Sequence, residues 1–460
     1  MNVLVVSNDD VGSKMAGPGI RSYRFAEELS KQFDVTLSIP RPTDLRLDGI
    51  EVVVANPFDT HAMTALTRKF EAVVAQRLPV PTSRALSRSA TRTVYDLYTP
   101  QTIENLAFDA GRLLDRSQRA FYALNTLAQE ASLRYGDAFI CASERQRDLW
   151  LGALLALGRV DHVSYREQPA LRGLIDVVPF GIEPTPPEPG PALRGVVPGI
   201  GETSRILLWG GGIWNWFDPL TVIRAVAELR TEGRDVWLVF LGVRRPNPDV
   251  PQMEMTQRAL ELADELGVRD RGVYFNEDWV PYEQRGAYLL DADLGVSAHF
   301  DDVETRFAYR TRLLDCFWAG LPVVVTEGDA LGELVAERRL GVLVPPEDVG
   351  AWKAALGSVL DGRDALRGVE ERFDAVRSEL AWPRVVEPLA RLLQEPAKRA
   401  PRRLDATLGR YVAARLENAA ASRGVAGSVR RVGAIVAEQV GLRLRRAPGP
   451  ERRVRSADDE

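Results

Sequence analysis

The stretch Val296-Ser-Ala-His-Phe-Asp-Asp-Val-Glu304, continued by Arg310-Thr-Arg-Leu-Leu-Asp315 and Trp318-Ala-Gly-Leu-Pro-Val-Val-Val-Thr326, sets the fold. An apolar run of strand length ends in a polar, acidic turn. A segment with helically spaced charges follows, and a Gly-Leu-Pro break feeds a second apolar run. This is a strand-helix-strand unit. In an open α/β sheet ligands bind outside the carboxyl ends of the strands, so His299, Asp301, Asp302 and Glu304 stand where a ligand would sit.

The same alternation runs in both directions from this unit. Strands are predicted at Arg205–Trp209, Val236–Gly242, Gly272–Phe275, Asp293–Ala298, Pro322–Thr326 and Gly341–Val344, with helices between them, such as Thr221–Arg230, Thr256–Leu266, Tyr282–Leu290, Thr311–Trp318 and Val349–Leu360. The first 180 residues repeat the pattern, with strands at Asn2–Ser7, Asp34–Ile39, Ile50–Ala55, Glu71–Ala75, Arg92–Leu97, Asp137–Ala142 and Ile175–Pro179, and a crossover helix over Ser22–Lys31. Between the halves, Glu183 to Gly201 is rich in proline and glycine and continues neither a helix nor a central strand. The expected organisation is a Rossmann-like domain over 1–182, a linker over 183–204, and a second such domain over 205–381. Residues 382–396 form a helix crossing back to the first domain, and 397–460 a basic tail. Two doubly wound α/β domains joined in this way face one another across a cleft, the default binding site.

Composition agrees and removes several function classes. With 460 residues, 45% of them hydrophobic, the chain can bury more than one core. Its formal net charge of -5 gives no overall attraction to nucleic acid. Cys141 and Cys316 lie in apolar contexts, which suits reduced thiols of a cytoplasmic protein and cannot make a structural zinc site. His61, His162 and His299 have no metal-ligand spacing, so no metal is expected. No run approaches a membrane span, and Met1 to Ser7 reads as a strand and not as a signal peptide.

The tail differs in kind, with 15 basic and 7 acidic residues from Lys398 to Glu460. Leu404–Ala419 and Val429–Leu444 both carry amphipathic helical patterns. Peripheral contact with the inner face of an anionic membrane is the functional reading. A solvated extension is the plainer one, since charge runs usually do no more than solvate.

Five places carry chemistry. The loop after the first strand, Asn8 to Arg21, contains Gly17 and Gly19 before a helix; such glycines let backbone N–H groups approach an anion, and Arg21 adds a charge. A tight turn is the equal alternative. Gly210-Gly211-Gly212 leaves the first strand of the second domain, next to Trp214 and Trp216, which could line a sugar or base or simply pack. Glu304, Arg310, Arg312 and Asp315 form the densest polar set, with guanidiniums suited to phosphate and a carboxylate suited to ribose hydroxyls. His299 follows a strand into the cleft. In the first domain Asp96 ends a strand beside Tyr95 and Tyr98, either binding an acceptor hydroxyl or capping a helix.

Over about residues 1 to 395 these motifs resemble the retaining, nucleotide-sugar-dependent glycosyltransferases of the GT-B fold, family 4. Gly17-Pro-Gly19 is similar to the family's first glycine loop, and Pro179-Phe-Gly-Ile182 to its Pro-Asn-Gly-Val. Asp315-Cys-Phe-Trp-Ala-Gly-Leu-Pro-Val-Val324 looks like Glu-Ala-Met-Ala-x-Gly-x-Pro-Val-Val, Gly328 to Glu333 like its next loop, and Trp382 to Gln394 like its last helix. The family's paired glutamates are not reproduced: the position eight before Asp315 is Phe307, and the nearest acid is Glu304. Nor are the Arg and Lys that usually follow the first strand of the second domain.

The resemblance implies a metal-independent hexosyltransferase of cell-envelope polysaccharide synthesis. It would move a sugar, with retention, from a nucleotide diphosphate sugar to a glycan or lipid-linked acceptor, and would need no further cofactor. On this reading Gly17, Gly19, Arg21, Arg310 and Arg312 stabilise the departing diphosphate, Asp315 holds the ribose, Glu304 or His299 the donor sugar, and Asp96 the acceptor. Gly211, Gly212 and Trp214 line the donor side. Two rivals are a non-catalytic GT-B protein that binds sugar nucleotide or glycan as an assembly partner, and a sugar-nucleotide epimerase.

Overall fold

A computed structural model describes residues 1–45, 47–109, 113–243, 253–362, 369–395 and 407–423. The first domain holds β1 (Asn2–Val6), β2 (Asp34–Ile39), β3 (Glu51–Val54), β4 (Ala72–Ala75), β5 (Arg92–Asp96), β6 (Ala138–Cys141) and β7 (Ile175–Val177). They form one parallel sheet in the order β3-β2-β1-β4-β5-β6-β7. Short runs such as Val3-Leu4-Val5-Val6 and Ala72-Val73-Val74-Ala75 are apolar on both faces because helices cover both faces.

The second domain repeats the plan with β8 (Arg205–Trp209), β9 (Val236–Phe240), β10 (Val273–Phe275), β11 (Leu294–Ser297), β12 (Val323–Thr326) and β13 (Gly341–Val344). Its parallel order is β10-β9-β8-β11-β12-β13. Strand order reverses between β1 and β4 in one sheet and between β8 and β11 in the other. Crevices open at such points, because the connections on either side leave toward opposite faces.

The proline-rich segment after Ile182 joins the two sheets. The chain returns near Ala381, where Ile182 and Ala381 form a bridge and the Ile182 N–H donates to Leu380 at 2.7 Å. Helices Trp382–Val385 and Glu387–Gln394 then pack on the first domain. Trp382 sits 4.9 Å from Phe180 and 6.2 Å from Phe25 between ring centres, in space that a side chain at Gly181 would fill. Buried residues of both sheets and of this return segment, among them Phe25, Phe180, Phe317 and Trp382, form one apolar cluster.

Three elements differ from expectation, the single return helix over 382–396 being two, Trp382–Val385 and Glu387–Gln394. The first helix begins at Gly17, not Ser22, because Pro18 in its first turn presets helical backbone. The run from Tyr282 divides into a single tight turn, Tyr282–Gln284, and a helix, Arg285–Leu290. Residues 114–124 and the helix Thr407–Arg423 belong to a separate small unit; the helix overlaps the first predicted tail helix, and Arg116 lies 3.9 Å from Glu417. The second predicted tail helix, Val429–Leu444, lies outside the described residues. Among the described residues no helix is long and apolar enough to cross a membrane.

Candidate functional site

At the β8/β11 switch point the loop Gly210 to Phe217 leaves β8, with Gly211 in the left-handed region at φ 79°. Its far end is fastened to the end of β11: Phe217 bridges His299, and the Asp218 N–H donates to the Ala298 carbonyl at 3.0 Å. Asp218 also accepts from the Thr221 N–H at 3.1 Å, capping the helix Pro219–Thr231. Trp214 stacks on the buried Trp216, ring centres 4.9 Å apart, while Asn215 donates to the Phe108 carbonyl of the first domain at 2.9 Å. Trp216 packs in the core, while Trp214 is half-buried beside the glycine loop.

Past β11 lies a buried polar cluster. His299 Nε2 stands 3.2 Å from Asp329 Oδ2, and Asp329 caps the helix Ala330–Arg338 by accepting from the Gly332 N–H at 2.6 Å. Arg310 takes Glu304 at two points, 2.9 and 2.5 Å, with Nε 3.8 Å from Asp329. All four residues are at most 5% exposed. Burial pushes the Asp329 carboxyl up, but the His299 hydrogen bond, the His299 and Arg310 charges and the Gly332 N–H outweigh it and leave the carboxyl below its usual range. The cluster corrects two expected roles. Arg310 is no phosphate ligand and Glu304 no sugar ligand, because each spends its charge on the other out of reach of solvent.

Arg312 is placed differently. Its Nη2 donates to the Gly212 carbonyl at 2.9 Å, and its guanidinium lies 3.9 Å from the Phe217 ring centre and 5.2 Å from that of Trp209. It therefore sits against the glycine loop. Thr311, its neighbour, faces Gly17 of the first domain, where a Cβ would lie 3.8 Å from Thr311 Oγ1 and 3.7 Å from the Tyr98 hydroxyl. Asp315, in the first turn of the helix Arg312–Ala319, accepts from Arg285 Nε at 3.0 Å. Arg285 is itself sandwiched on Tyr282 and Trp318, at 3.7 and 4.5 Å.

The first-domain wall corrects three more residues. Arg21 points into the core and is fully buried on Asp96, so neither meets donor or acceptor. Gly19 is a packing glycine: a Cβ there would collide with the Asp10 carbonyl oxygen. The walls are joined by residues outside the motifs. Gln146 Nε2 donates to the Tyr98 carbonyl at 2.7 Å and to the Phe307 carbonyl of the second domain at 2.8 Å, while Arg145 reaches the Gly328 carbonyl and Glu333. Tyr282 donates its N–H to the Ser13 carbonyl at 2.8 Å. Asp329 carried a sequence signal, lying in the Gly328–Glu333 loop and opening a helix, though no role was assigned to it; Gln146 and Arg145 carried none. A further cavity, lined by Glu183, Pro187, Trp318 and Arg377, lies at the linker away from the strand ends.

Comparison with solved structures matches this architecture throughout. WaaG, a glycosyltransferase involved in lipopolysaccharide biosynthesis, superposes with a TM-score of 0.61 at 16% identity, covering 85% of this chain and 99% of that one. HepE of Anabaena in complex with UDP-glucose gives 0.60 at 13% identity, with coverage of 85% and 99%. The fold is GT-B. Residues 204–362, the second GT-B domain, match the model of the glycosyl transferases group 1 family. The D-inositol 3-phosphate glycosyltransferase of Nocardia farcinica is 28% identical over 222 residues, 47% of either chain, so the alignment spans about half the length of that relative. In this GT-B frame the two switch points face each other, with Gly17 and Thr311 at the seam.

Proposed function

We propose that this protein is a glycosyltransferase that moves a sugar from a nucleotide diphosphate sugar to an acceptor hydroxyl, with retention and without a metal. The observation that carries the reading is Arg312, held on the Gly212 carbonyl and the Phe217 ring at the β8/β11 crevice, with Thr311 facing the Gly17 helix start across the cleft. Charge grows on the departing diphosphate as the glycosidic bond breaks. Arg312 and the first N–H groups of the helix Gly17–Ser30 are preorganised donors for that charge, which is where such groups lower a barrier most. Asp315 orients the ribose beside Arg285. His299 and Asp329 hold the end of β11 rigid behind the donor sugar. The Nocardia relative is named as a glycosyltransferase of D-inositol 3-phosphate, HepE was solved with UDP-glucose, and the family model falls on the domain that would hold the nucleotide. The acceptor is a glycan, a lipid-linked sugar or a small polyol, taken up by the first domain, and the basic tail supplies contact with an anionic membrane surface.

Thermal stabilisation by a panel of nucleoside diphosphates and nucleotide sugars tests the donor site, since a ligand at 100 times its Kd adds about 2.7 kcal/mol. One base should stabilise the wild type and fail to stabilise Arg312→Ala. No shift with any nucleotide, with or without acceptor, removes the proposal. The second reading, a non-catalytic binder, is favoured by one observation: Glu304, the acid nearest the family's glutamate position, is locked on Arg310. Sugar transfer by the pure protein that is lost in Arg312→Ala excludes that reading.

A further inference from the structure

Arg77 stands two residues past β4, at the switch point of the first sheet beside the end of β1. Asn8, just beyond β1, clamps its backbone. Asn8 Nδ2 donates to the Arg77 carbonyl and the Arg77 N–H to Asn8 Oδ1, both at 3.2 Å. The clamp fixes the Arg77 backbone at the carboxyl ends of β1 and β4, the side of the sheet where ligands bind in such folds. There Nη1 donates to Oδ1 of Asn125, and the guanidinium lies 5.2 Å from the ring centre of the exposed Phe58.

Among the described residues this arginine has no carboxylate partner, and burial alone lowers its pKa, to about 10. Three other arginines of the domain are held by a carboxylate or by several carbonyls. Arg21 is on Asp96; Arg159 donates to the carbonyls of Leu133, Arg134 and Gly136; Arg147 donates to those of Ile175 and Ala170. A half-buried guanidinium without a counter-charge gains from an anion that supplies one. The neighbouring amides have N–H groups to spare. Asn125 is 8% exposed and its Nδ2 has no acceptor. The Nε2 groups of Gln76, adjacent in sequence, and Gln129, one helical turn from Asn125, are buried without acceptors as well. A planar cationic fork with amide N–H groups beside it suits an anion with several oxygens.

We propose that Arg77, with the amide groups of Asn125, Gln76 and Gln129, binds a phosphate monoester carried by the acceptor. The word acceptor rests on the transferase reading; the anion site does not. The ester is borne by a soluble sugar or polyol, or by a lipid headgroup.

Titration calorimetry on the full chain separates these cases, using glucose 6-phosphate, glycerol 3-phosphate and an inositol monophosphate against their unphosphorylated parents, and vesicles with and without phosphatidic acid. A nucleoside diphosphate is titrated in parallel to read the donor domain. The phosphorylated form should bind at least about tenfold tighter than its parent, the worth of one charge-assisted contact set. Arg77→Met should abolish that preference, Arg77→Lys should keep part of it, and nucleotide affinity should hold in both. Arg77-dependent preference among soluble compounds supports the site with a soluble acceptor; the same dependence confined to vesicles supports it with a lipid-borne phosphate. Equal binding of phosphate and parent, or a preference that survives in Arg77→Met, overturns it. Should Arg77→Met lose its melting transition, Asn125→Leu takes its place with the same criterion. Nucleotide binding without phosphate preference overturns the subsite and leaves the transferase reading standing; phosphate preference without nucleotide binding does the reverse.

Discussion

Arg21 and Asp96 meet in the interior of the first domain as a two-point ion pair, Nε to Oδ2 at 2.6 Å and Nη2 to Oδ1 at 3.0 Å. The same guanidinium donates to the carbonyls of Val178 and Pro179 at 2.8 and 2.9 Å and lies over Phe25 and Tyr98. One side chain thus ties the helix Gly17–Ser30 to the ends of β5 and β7. Its placement explains why an arginine beside a glycine loop reads as a phosphate ligand and is a strut.

Arg21→Ala leaves the Asp96 carboxylate buried without a partner and is expected to cost about 3–5 kcal/mol. The pair replacement Arg21→Met with Asp96→Leu should recover most of that loss, since two charges leave the interior together. Urea unfolding of the three variants measures it. A single-variant cost below about 1 kcal/mol excludes the strut role.

Gly17 and Gly19 are two residues apart and predict opposite behaviour. Gly19→Ala meets the Asp10 carbonyl, a backbone atom that cannot turn aside, so the variant should melt lower whatever ligand is present. Gly17→Ala has ordinary contact distances, 3.7 and 3.8 Å, and lies at a helix start, so its melting point should stay near wild type. Its loss should be in nucleotide affinity, because the methyl group enters the space that the diphosphate would use. Melting curves with and without a nucleoside diphosphate distinguish the two; equal effects would show that both glycines serve packing.

Much of this was legible in the sequence. Val3 to Val6, Leu294 to Ser297 and Val323 to Thr326 read as strands because parallel strands covered on both faces need unbroken apolar runs. Pro184, Pro186 and Pro187 marked the linker because proline continues neither element. The pairings at the site were less legible. Glu304 and Arg310 are six residues apart, a spacing that no helical rule brings together; the break after Phe307 folds the chain back so that they meet. Gln146 carries no motif at all, and Arg77 is an ordinary arginine until tertiary structure takes away its carboxylates. Spacing announces chemistry only where a regular element transmits it.

Asp329 should give the fold a pH signature. Its carboxyl is held below the usual range in the folded protein, so its extra stabilisation is fully present above the unfolded carboxylate pKa of about 3.9 and is lost as pH falls through the lower folded value. Asp329→Asn keeps an acceptor for the Gly332 N–H but removes the charge facing His299 and Arg310. The stability gap between wild type and Asp329→Asn should be of order 2–3 kcal/mol near neutrality and close below about pH 4. A gap that stays constant across an acid titration of unfolding would assign Asp329 to capping alone.

Gln146 couples the two walls of the cleft, and its chemistry allows a sharper test than truncation. Its Oε1 accepts from the Ala142 N–H at 2.8 Å, while Nε2 serves both the Tyr98 and Phe307 carbonyls. Gln146→Glu preserves shape and the Ala142 bond but turns the bridging nitrogen into an oxygen aimed at two carbonyls. At neutral pH the buried carbonyls lose their donor and face a charge, a penalty of about 1–3 kcal/mol for each unsatisfied group. Lowering the pH protonates the glutamate, which then donates to one carbonyl and restores part of the bridge. Amide hydrogen exchange in Val303–Phe307 should therefore speed up in Gln146→Glu at pH 7 and slow again, relative to wild type, near pH 5. If exchange in that helix is unchanged while the melting point falls, Gln146 supports only the first domain, and the cleft walls are held by Arg145 and Tyr282 instead.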